Sequence, residues 1–405
     1  MKTLVIGGGP AGMLSAYFKA VKGNDVTLVE KNEKLGKKLY ITGKGRCNVL
    51  NDCSAEEFIE NVVTNPKFLM GAIRRFSPAD FKAFLEKKIP LKTERGNRVF
   101  PCSDKASDVT KCLESYLKDA KVNVRLNEKV LKIEKNGENF TVKTSKGEIV
   151  ADEVVICTGG KSYPLTGSDG DGYKFAESLG HTIEKPIPAL SGIETRDKLP
   201  ELQGVSLKNV TLTAEYRGKK VFEDFGEMLF THYGVSGPIV LTASSYINKL
   251  DFPSLKLYID LKPALSVEKL DERLLRDFAK YKNKALKNSL SDLLIKSFIP
   301  VIIERSGVNG EKSNSEIKKE ERAKLISAIK AFELTPTKLR TIEEAIITSG
   351  GVKVGEINPK NMESKIVKNL YFAGEVIDVD ALTGGFNIMI TACTAYSTSI
   401  KGGEK

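Results

Sequence analysis

An α/β fold, with a parallel sheet assembled from two separated parts of the chain, is predicted by three features of this 405-residue sequence. The first 30 residues run strand, glycine turn, helix, strand, acid. Alternating segments over 121–156 lead into an apolar strand, "VVIC", that ends in Thr158-Gly159-Gly160. After a long stretch of different pattern, residues 345–405 return to strand and glycine turns. Strand–helix alternation of this kind builds a doubly wound, Rossmann-like sheet, and a late return segment makes that domain two-part.

Leu4-Val5-Ile6 reads as a short buried strand, and Gly7-x-Gly9-x-x-Gly12 follows at once. A helical pattern runs from Pro10, with Ala11 in its first turn, to Lys22. Asp25–Val29 is a second strand, closed by Glu30. Gly7 permits a tight turn, Gly9 lets backbone approach a pyrophosphate, and Gly12 lets helix and strand pack closely. The helix start offers N–H groups and partial positive charge to that pyrophosphate. Glu30 is placed to accept ribose hydroxyls, and an acid there disfavours a 2′-phosphate, so FAD or NAD is preferred to NADP. Only one such fingerprint is present.

Residues 31–53 are rich in glycine and basic side chains, Lys31 and Lys38 among them. Such a loop beside a dinucleotide site can hold phosphate or a flavin edge; the alternative is a solvated basic loop. Residues 54–120 read as largely helical, interrupted by "ERGNRVFPCSDKAS". A β-meander follows over Val122–Leu126, Val130–Glu134, Phe140–Thr144 and Glu148–Val150, with hairpin signals at Asn136-Gly137 and Lys146-Gly147. The meander leads to the strand Val154–Cys157, an FAD-domain layout in which Val130 and the Thr158-Gly159-Gly160 turn lie near the cofactor. Gly160-Lys161-Ser162 is not the end of a phosphate loop. The glycine needed five positions earlier is Val155, within the apolar run.

Residues 190–263 carry short alternating segments, and 264–337 carry helical spacing with heavy charge, notably "EKLDERLLRDFAKYKNKALKNSLSDLL". The expected division is a first part of the FAD-binding domain over 1–189, a β-barrel-like insert over 190–263, a helical cap over 264–337, and the second part of the FAD-binding domain over 338–405. The net charge of +11 raises nucleic acid as a partner, but the lysines are scattered and form no basic stripe interleaved with aromatics. The expected partner is a small molecule rather than nucleic acid. Six cysteines without a C-x-x-C pair, and two histidines, do not make a zinc site, and no metal is expected. The start is too short and glycine-broken for a signal segment, and no apolar run reaches membrane-spanning length. The expectation is a cytoplasmic protein with no membrane partner.

Several strings together carry a family likeness: "KKLYITGKGRCN" (37–48), "RVFPCSDKASDV" (98–109), "CTGGKSYPLTGSDGDGYKFAESLGH" (157–181), "FTHYGVSGP" (230–238) and "ESKIVKNLYFAGEVIDVDALTGGFN" (363–387). With them the chain resembles the BaiN/YhiN-type, aminoacetone-oxidase-like FAD-dependent flavoproteins over essentially its full length. Lys44 and Ala381 depart from the glycines common in that family. The resemblance implies FAD in a two-part Rossmann-like domain with the β-barrel-like and helical pieces inserted between its halves. It also implies redox chemistry, for some members the reduction of conjugated carbon–carbon double bonds in steroid-like substrates.

On that reading the cofactor is also lined by Arg46, Cys47, Asn48, Gly374, Glu375, Asp378, Gly384, Gly385, Phe386, Asn387 and Ile388. A helix starting near Asn387 turns its positive end toward the flavin N1 and C2 carbonyl, and its paired glycines allow close approach to a flat ring. Arg46-Cys47-Asn48 faces the ring from the other side, with Cys47 either a redox thiol or a small packed residue. His232 is the candidate general acid or base, with Tyr233 beside it; the competing assignment is a structural histidine in a turn. His181 reads as the cationic end of a helix. Tyr163 either lines the site or packs. Electrons come from NADH or NADPH docking transiently, from another donor, or go to O₂. Four functions stay open: a reductase or dehydrogenase, an amine-type oxidase, a flavoprotein acting on RNA, and a non-catalytic FAD scaffold.

Overall fold

The computed structural model describes residues 1–400. The chain forms two compact units: Met1–Ala189 together with the chain from Thr341 on, and Leu190–Arg340. The first unit holds a five-stranded parallel sheet in the order Leu370–Phe372, Glu153–Ile156, Lys2–Ile6, Asp25–Val29, Asn123–Arg125. Its central strands are buried along their length, which is why they read as unbroken apolar runs. Val155 pairs with Val5 in mid-sheet, so no phosphate loop exists there. The outermost strand comes from the other end of the chain, Leu370 lying in register with Val154.

The helix Pro10–Val21 crosses from the first strand to the second, starting with proline at N1. Helices Ala55–Glu60 and Pro78–Glu86 begin with capping boxes, Ser54 with Glu57 and Ser77 with Asp80. The interruption in this helical stretch is a hairpin, Leu91–Glu94 with Arg98–Pro101, joined by Leu50–Asn51. Phe18 meets Tyr396 of the last helix, Phe386–Ser397, at 5.1 Å, and Phe76 stacks on Tyr396 at 4.8 Å. This aromatic layer packs the last helix onto the first.

Two expectations need correcting. The segment around Val122–Leu126 is not a meander strand; Asn123–Arg125 is the parallel edge strand beside Asp25–Val29. An edge strand is half solvated, so it alternates as a meander strand does. The meander itself is Val130–Asn136, Asn139–Thr144 and Gly147–Ala151. His181 lies just past the helix Asp171–Ser178 but is no cationic end. It is 4% exposed, with Nε2 at 2.8 Å from Ser364 Oγ and Nδ1 at 3.3 Å from Glu356. Burial holds its pKa below the ordinary 6.5, with Glu356 opposing.

The second unit holds a seven-stranded antiparallel sheet in the order Phe332–Leu334, Leu255–Asp260, Ser206–Tyr216, Lys219–Phe230, Gly234–Ser236, Ile193–Thr195, Pro336–Leu339. Its two outermost strands are separated in sequence by Thr335 alone, so the sheet curls round on itself, barrel-like. Helices Val267–Lys280, Phe298–Ser306 and Lys319–Lys330 share one core with the sheet, Leu270, Ile302 and Leu325 packing with Leu257 and Phe332. The amphipathic pattern continues past Lys280, but the chain there forms short 3₁₀ turns at Leu286–Asn288 and Leu290–Asp292.

The histidine makes a pH prediction. The unfolded-state pKa of His181 lies above its native value, so the unfolded chain takes up the proton first. Its contribution to stability is full above about pH 6.5 and is lost as pH falls through the native value. Urea midpoints measured from pH 8 to pH 5 should decline less for His181→Asn than for the wild type; parallel declines would remove the assignment.

Candidate functional site

In the first unit the glycine turn does what its spacing implies. Gly7 has φ +104°, and a methyl there would sit 2.6 Å from the carbonyl oxygen of Cys157. A methyl on Gly12 would collide with the carbonyl oxygen of Gly7. Gly9 is different: it is extended, and a methyl there would meet nothing within 4 Å. The helix that Gly9 caps has no capping side chain and no acid in its first turn. Its positive end is therefore uncompensated beside open space, the condition for receiving an anion. Pro10 and Ala11 form this helix start.

Glu30, 8% exposed, accepts from the Gly8 N–H at 2.6 Å and from the Asn32 N–H and Nδ2 at 2.8 and 2.7 Å. Its carboxylate thus orders the glycine turn. About four acceptor positions exist on a carboxylate, so room for a hydroxyl donor remains.

Four distant segments meet at one carboxylate. Glu375 accepts from Lys38 Nζ at 2.7 Å, Ser162 Oγ at 3.1 Å and the Thr348 N–H at 2.9 Å. Lys38 also donates to Ser162 Oγ at 2.6 Å. The Thr348 hydroxyl accepts from the N–H groups of Lys161 and Ser162 at 2.8 and 3.1 Å, so those amides serve the protein itself. Gly374, at φ +78°, lies where a methyl would sit 2.7 Å from Ala11 Cβ, so the Gly374-Glu375 turn packs on the first helix start. Thr158 Oγ1 is buried and has no partner among the described residues. Gly159, at φ +72°, packs against Ser168, and Gly160 against Thr348 and Glu375. Lys31 pairs with Asp169 at 2.7 Å and with Asp171 at 3.3 Å. Thr348, 1% exposed in the strand Ile347–Val352, was not among the residues the sequence singled out.

The segment from Gly43 to Cys47 is a strained turn, with Gly43, Lys44, Gly45 and Cys47 all at positive φ. The Arg46 guanidinium is held by protein groups. It pairs with Glu94 at 2.5 Å and Asp104 at 2.6 Å and lies 4.2 Å over Phe100. Cys47 has the geometry of a packed thiol: it is fully buried, and burial pushes its pKa up to about 11. Asn48 Oδ1 is buried with no partner among the described residues.

At the last helix, Gly384 and Gly385 have φ +121° and +98°. A methyl on Gly385 would run into the backbone of Leu50, so protein backbone is what demands this glycine. The helix begins there with no capping side chain and no acid in its first turn. Phe386 is 5% exposed and packs on Phe58 at 5.6 Å. Asn387 clamps Ala381, accepting from its N–H at 3.0 Å and donating to its carbonyl at 2.7 Å. Asp378 accepts from Asn65 Nδ2 at 2.9 Å. Val130 is buried in the core and Ile388 lies partly buried against it. Tyr163 is half-buried at φ +53°.

His232 and Tyr233 belong to the second unit, in the turn before Gly234–Ser236. His232 is exposed, its ring edge-on to Tyr233 at 5.1 Å, and Arg340 lies 4.6 Å over Tyr233. Among the described residues, no three His, Cys, Asp or Glu side chains group to hold a metal, and no helix is long and apolar enough to cross a membrane.

Residues 1–401 match the model of the HI0933-like protein Rossmann domain. The chain belongs to the HI0933-like family. It has the Rossmann-type FAD-binding fold of flavoprotein oxidoreductases, as the motifs imply. It is 29% identical to a 3-dehydro-bile acid delta(4,6)-reductase of Clostridium scindens, over 99% of this chain and 98% of the relative. It is 30% identical to a ribosomal RNA dihydrouridine synthase of Escherichia coli, over 97% of this chain and 96% of the relative. Among solved structures, a 3-ketosteroid-delta4-(5alpha)-dehydrogenase from Rhodococcus jostii superposes with TM-score 0.51 at 15% identity, covering 98% of this chain and 96% of that one. A flavocytochrome c3 fumarate reductase gives TM-score 0.51 at 18% identity, covering 98% and 77%. At those identities the likeness is one of fold.

Glu30 supplies a test of the fingerprint. Glu30→Ala removes a charge-assisted acceptor, worth roughly 1.5–3 kcal/mol per bond, so FAD affinity should drop at least about tenfold. Titration of the apoprotein with FAD, beside a circular dichroism spectrum showing the variant folded, checks this. Unchanged affinity would place the ribose elsewhere.

Proposed function

We propose that the protein is an FAD-dependent reductase of a carbon–carbon double bond conjugated to a ring carbonyl. The observation that carries this is shared chemistry between two full-length relatives. The names of both, the delta(4,6)-reductase of a 3-dehydro bile acid and the dihydrouridine synthase, describe saturation of such a bond. The residues fit FAD: Gly9 borders open space, two helix starts carry uncompensated positive ends, and Asn48 Oδ1 is buried without a partner among the described residues.

When bound, FAD supplies the hydride chemistry, and the protein supplies binding, orientation and electrostatics. The helix start at Gly9 would hold the pyrophosphate and Glu30 a ribose hydroxyl. The start of the last helix, with Asn387 fixing the preceding strand, would stabilise negative charge. Lys38 and Glu375 position the turns around the site. His232 is the candidate proton donor, its ring N–H serving the carbon or oxygen that becomes basic as the double bond is reduced.

NADH or NADPH is the proposed transient electron donor. The six unpaired cysteines support a reducing, cytoplasmic setting. A second reading takes uridine in RNA as the substrate, supported by the dihydrouridine synthase relatives and the net charge of +11.

Anaerobic stopped-flow measurement of the flavin separates the readings. NADH or NADPH should bleach the flavin, and a cyclic enone or a uridine-containing RNA should restore its absorbance. Reoxidation by RNA alone, with affinity falling steeply with salt, selects the second reading. Peroxide released in air on oxidation of an amine, with no response to either acceptor, would overturn both.

A further inference from the structure

We propose that the hairpin turn Arg95–Arg98 binds the 2′-phosphate of NADPH, so that the electron donor is NADPH rather than NADH. The inference rests on the reductase reading above, in which a reduced nicotinamide meets the flavin. The chain carries one dinucleotide fingerprint, and on that reading FAD takes it. The donor must therefore be recognised by other groups, and these must lie near the start of the last helix.

The turn has that position. It joins the strands Leu91–Glu94 and Arg98–Pro101. Asn51 Nδ2 donates to the Gly96 carbonyl at 3.1 Å and to the Gly384 carbonyl at 3.4 Å. A single amide group thus ties the turn to the glycine pair at the start of the last helix. The Asp52 N–H donates to the Asn97 carbonyl at 2.7 Å and holds the turn from its other side.

The charge of the turn is unmatched. Arg95 and Arg98 are exposed, and neither has an ion-pair partner among the described residues. Arg98 Nε donates to the Arg95 carbonyl at 3.0 Å, so both side chains leave one turn. The acids of the surrounding sheet are engaged elsewhere. Glu94 pairs with Arg46 at 2.5 Å, Asp104 with Arg46 and Lys92 at 2.6 Å each, and Asp52 with Lys82 at 2.6 Å. Two like charges held together with no acid between them favour a bound anion. A guanidinium grips phosphate oxygens through parallel N–H bonds, and a phosphate monoester brings close to two negative charges and three acceptor oxygens. Two arginines on one turn match one monoester, which NADPH has and NADH lacks. The single charge of a phosphodiester needs only one of them.

Calorimetry of the oxidised holoenzyme with 2′,5′-ADP reads the site without any redox step. Its Kd should be at least about tenfold below that of 5′-AMP, which lacks the 2′-phosphate. The double variant Arg95→Gln, Arg98→Gln should raise the Kd of 2′,5′-ADP at least about tenfold, with FAD content and melting temperature unchanged. In anaerobic stopped flow, NADPH should half-saturate flavin bleaching at a concentration at least about tenfold below NADH, a preference the double variant loses. Equal affinity for 2′,5′-ADP and 5′-AMP, or the wild-type preference in the variant, would overturn the proposal. So would RNA binding that the variant loses while 2′,5′-ADP does not bind, and that result assigns the turn to the RNA reading. Binding of 2′,5′-ADP that needs the arginines, in an enzyme whose flavin neither NADH nor NADPH bleaches, keeps the site and removes the nicotinamide-linked reading. Bleaching by NADH and NADPH alike, with no binding of 2′,5′-ADP, does the reverse.

Discussion

The carboxylate of Glu375 is the point on which the first unit's assembly depends. It receives hydrogen bonds from Lys38, Ser162 and the amide of Thr348, three segments that are otherwise remote in sequence. Two glycines have their cause here. A side chain at Gly160 would press on Thr348 and on Glu375 itself, and one at Gly374 would press on Ala11. Either would lift the carboxylate away from its donors. Removing the carboxylate would in turn leave a largely buried lysine ammonium without its anion, the costly way to break such a pair. The helix start at Gly9 and the turn at Thr158–Gly160 are therefore held in place by a network in which neither supplies a charge.

Much of the fold was legible because central parallel strands are buried on both faces. Lys2–Ile6 and Glu153–Ile156 could be read as apolar runs, and the glycine spacing fixed the turn and helix between strands. The edge strand Asn123–Arg125 was not legible, since half-solvated alternation is common to edge and meander strands. The curling of the second unit's sheet was not legible in its particulars either. It follows from pairing Phe332–Leu334 and Pro336–Leu339 to opposite ends of the sheet, a non-local fact that periodicity cannot contain.

In the candidate site, residue type was more legible than residue partner. Paired glycines at 384 and 385 read as room for a flat ring; a methyl on Gly385 would meet the backbone of Leu50, and one on Gly384 the ring of Phe386. Phe386 beside them is named among the cofactor-lining residues, and its ring packs on Phe58. Cys47 sits in a motif rich in glycine and charge, yet its thiol is fully buried. Thr348 carried almost no sequence signal, because a lone threonine in a strand gains meaning only from the two amides that reach it.

Charge shows the same limit most clearly. Residues 31–53, whose cations all lie within 31–46, read as a basic loop available to phosphate or a flavin edge. In the folded chain Lys31 pairs with Asp169 and Asp171, Lys37 with Glu33, Lys38 with Glu375, and Arg46 with Glu94 and Asp104. Apart from Glu33, every one of those acids lies between 48 and 337 residues away, beyond any local pattern. Four of the six cations thus pin the loop, while Lys34 and Lys44 are exposed. Fixed backbone is also offered to an anion in this unit: the helix starts at Gly9 and Gly385 have no capping side chain and no acid in their first turns. Such groups act over the first turn only. A ligand held by them would be selected by where its charge sits, whereas a mobile lysine loop would select it merely by how much charge it carries.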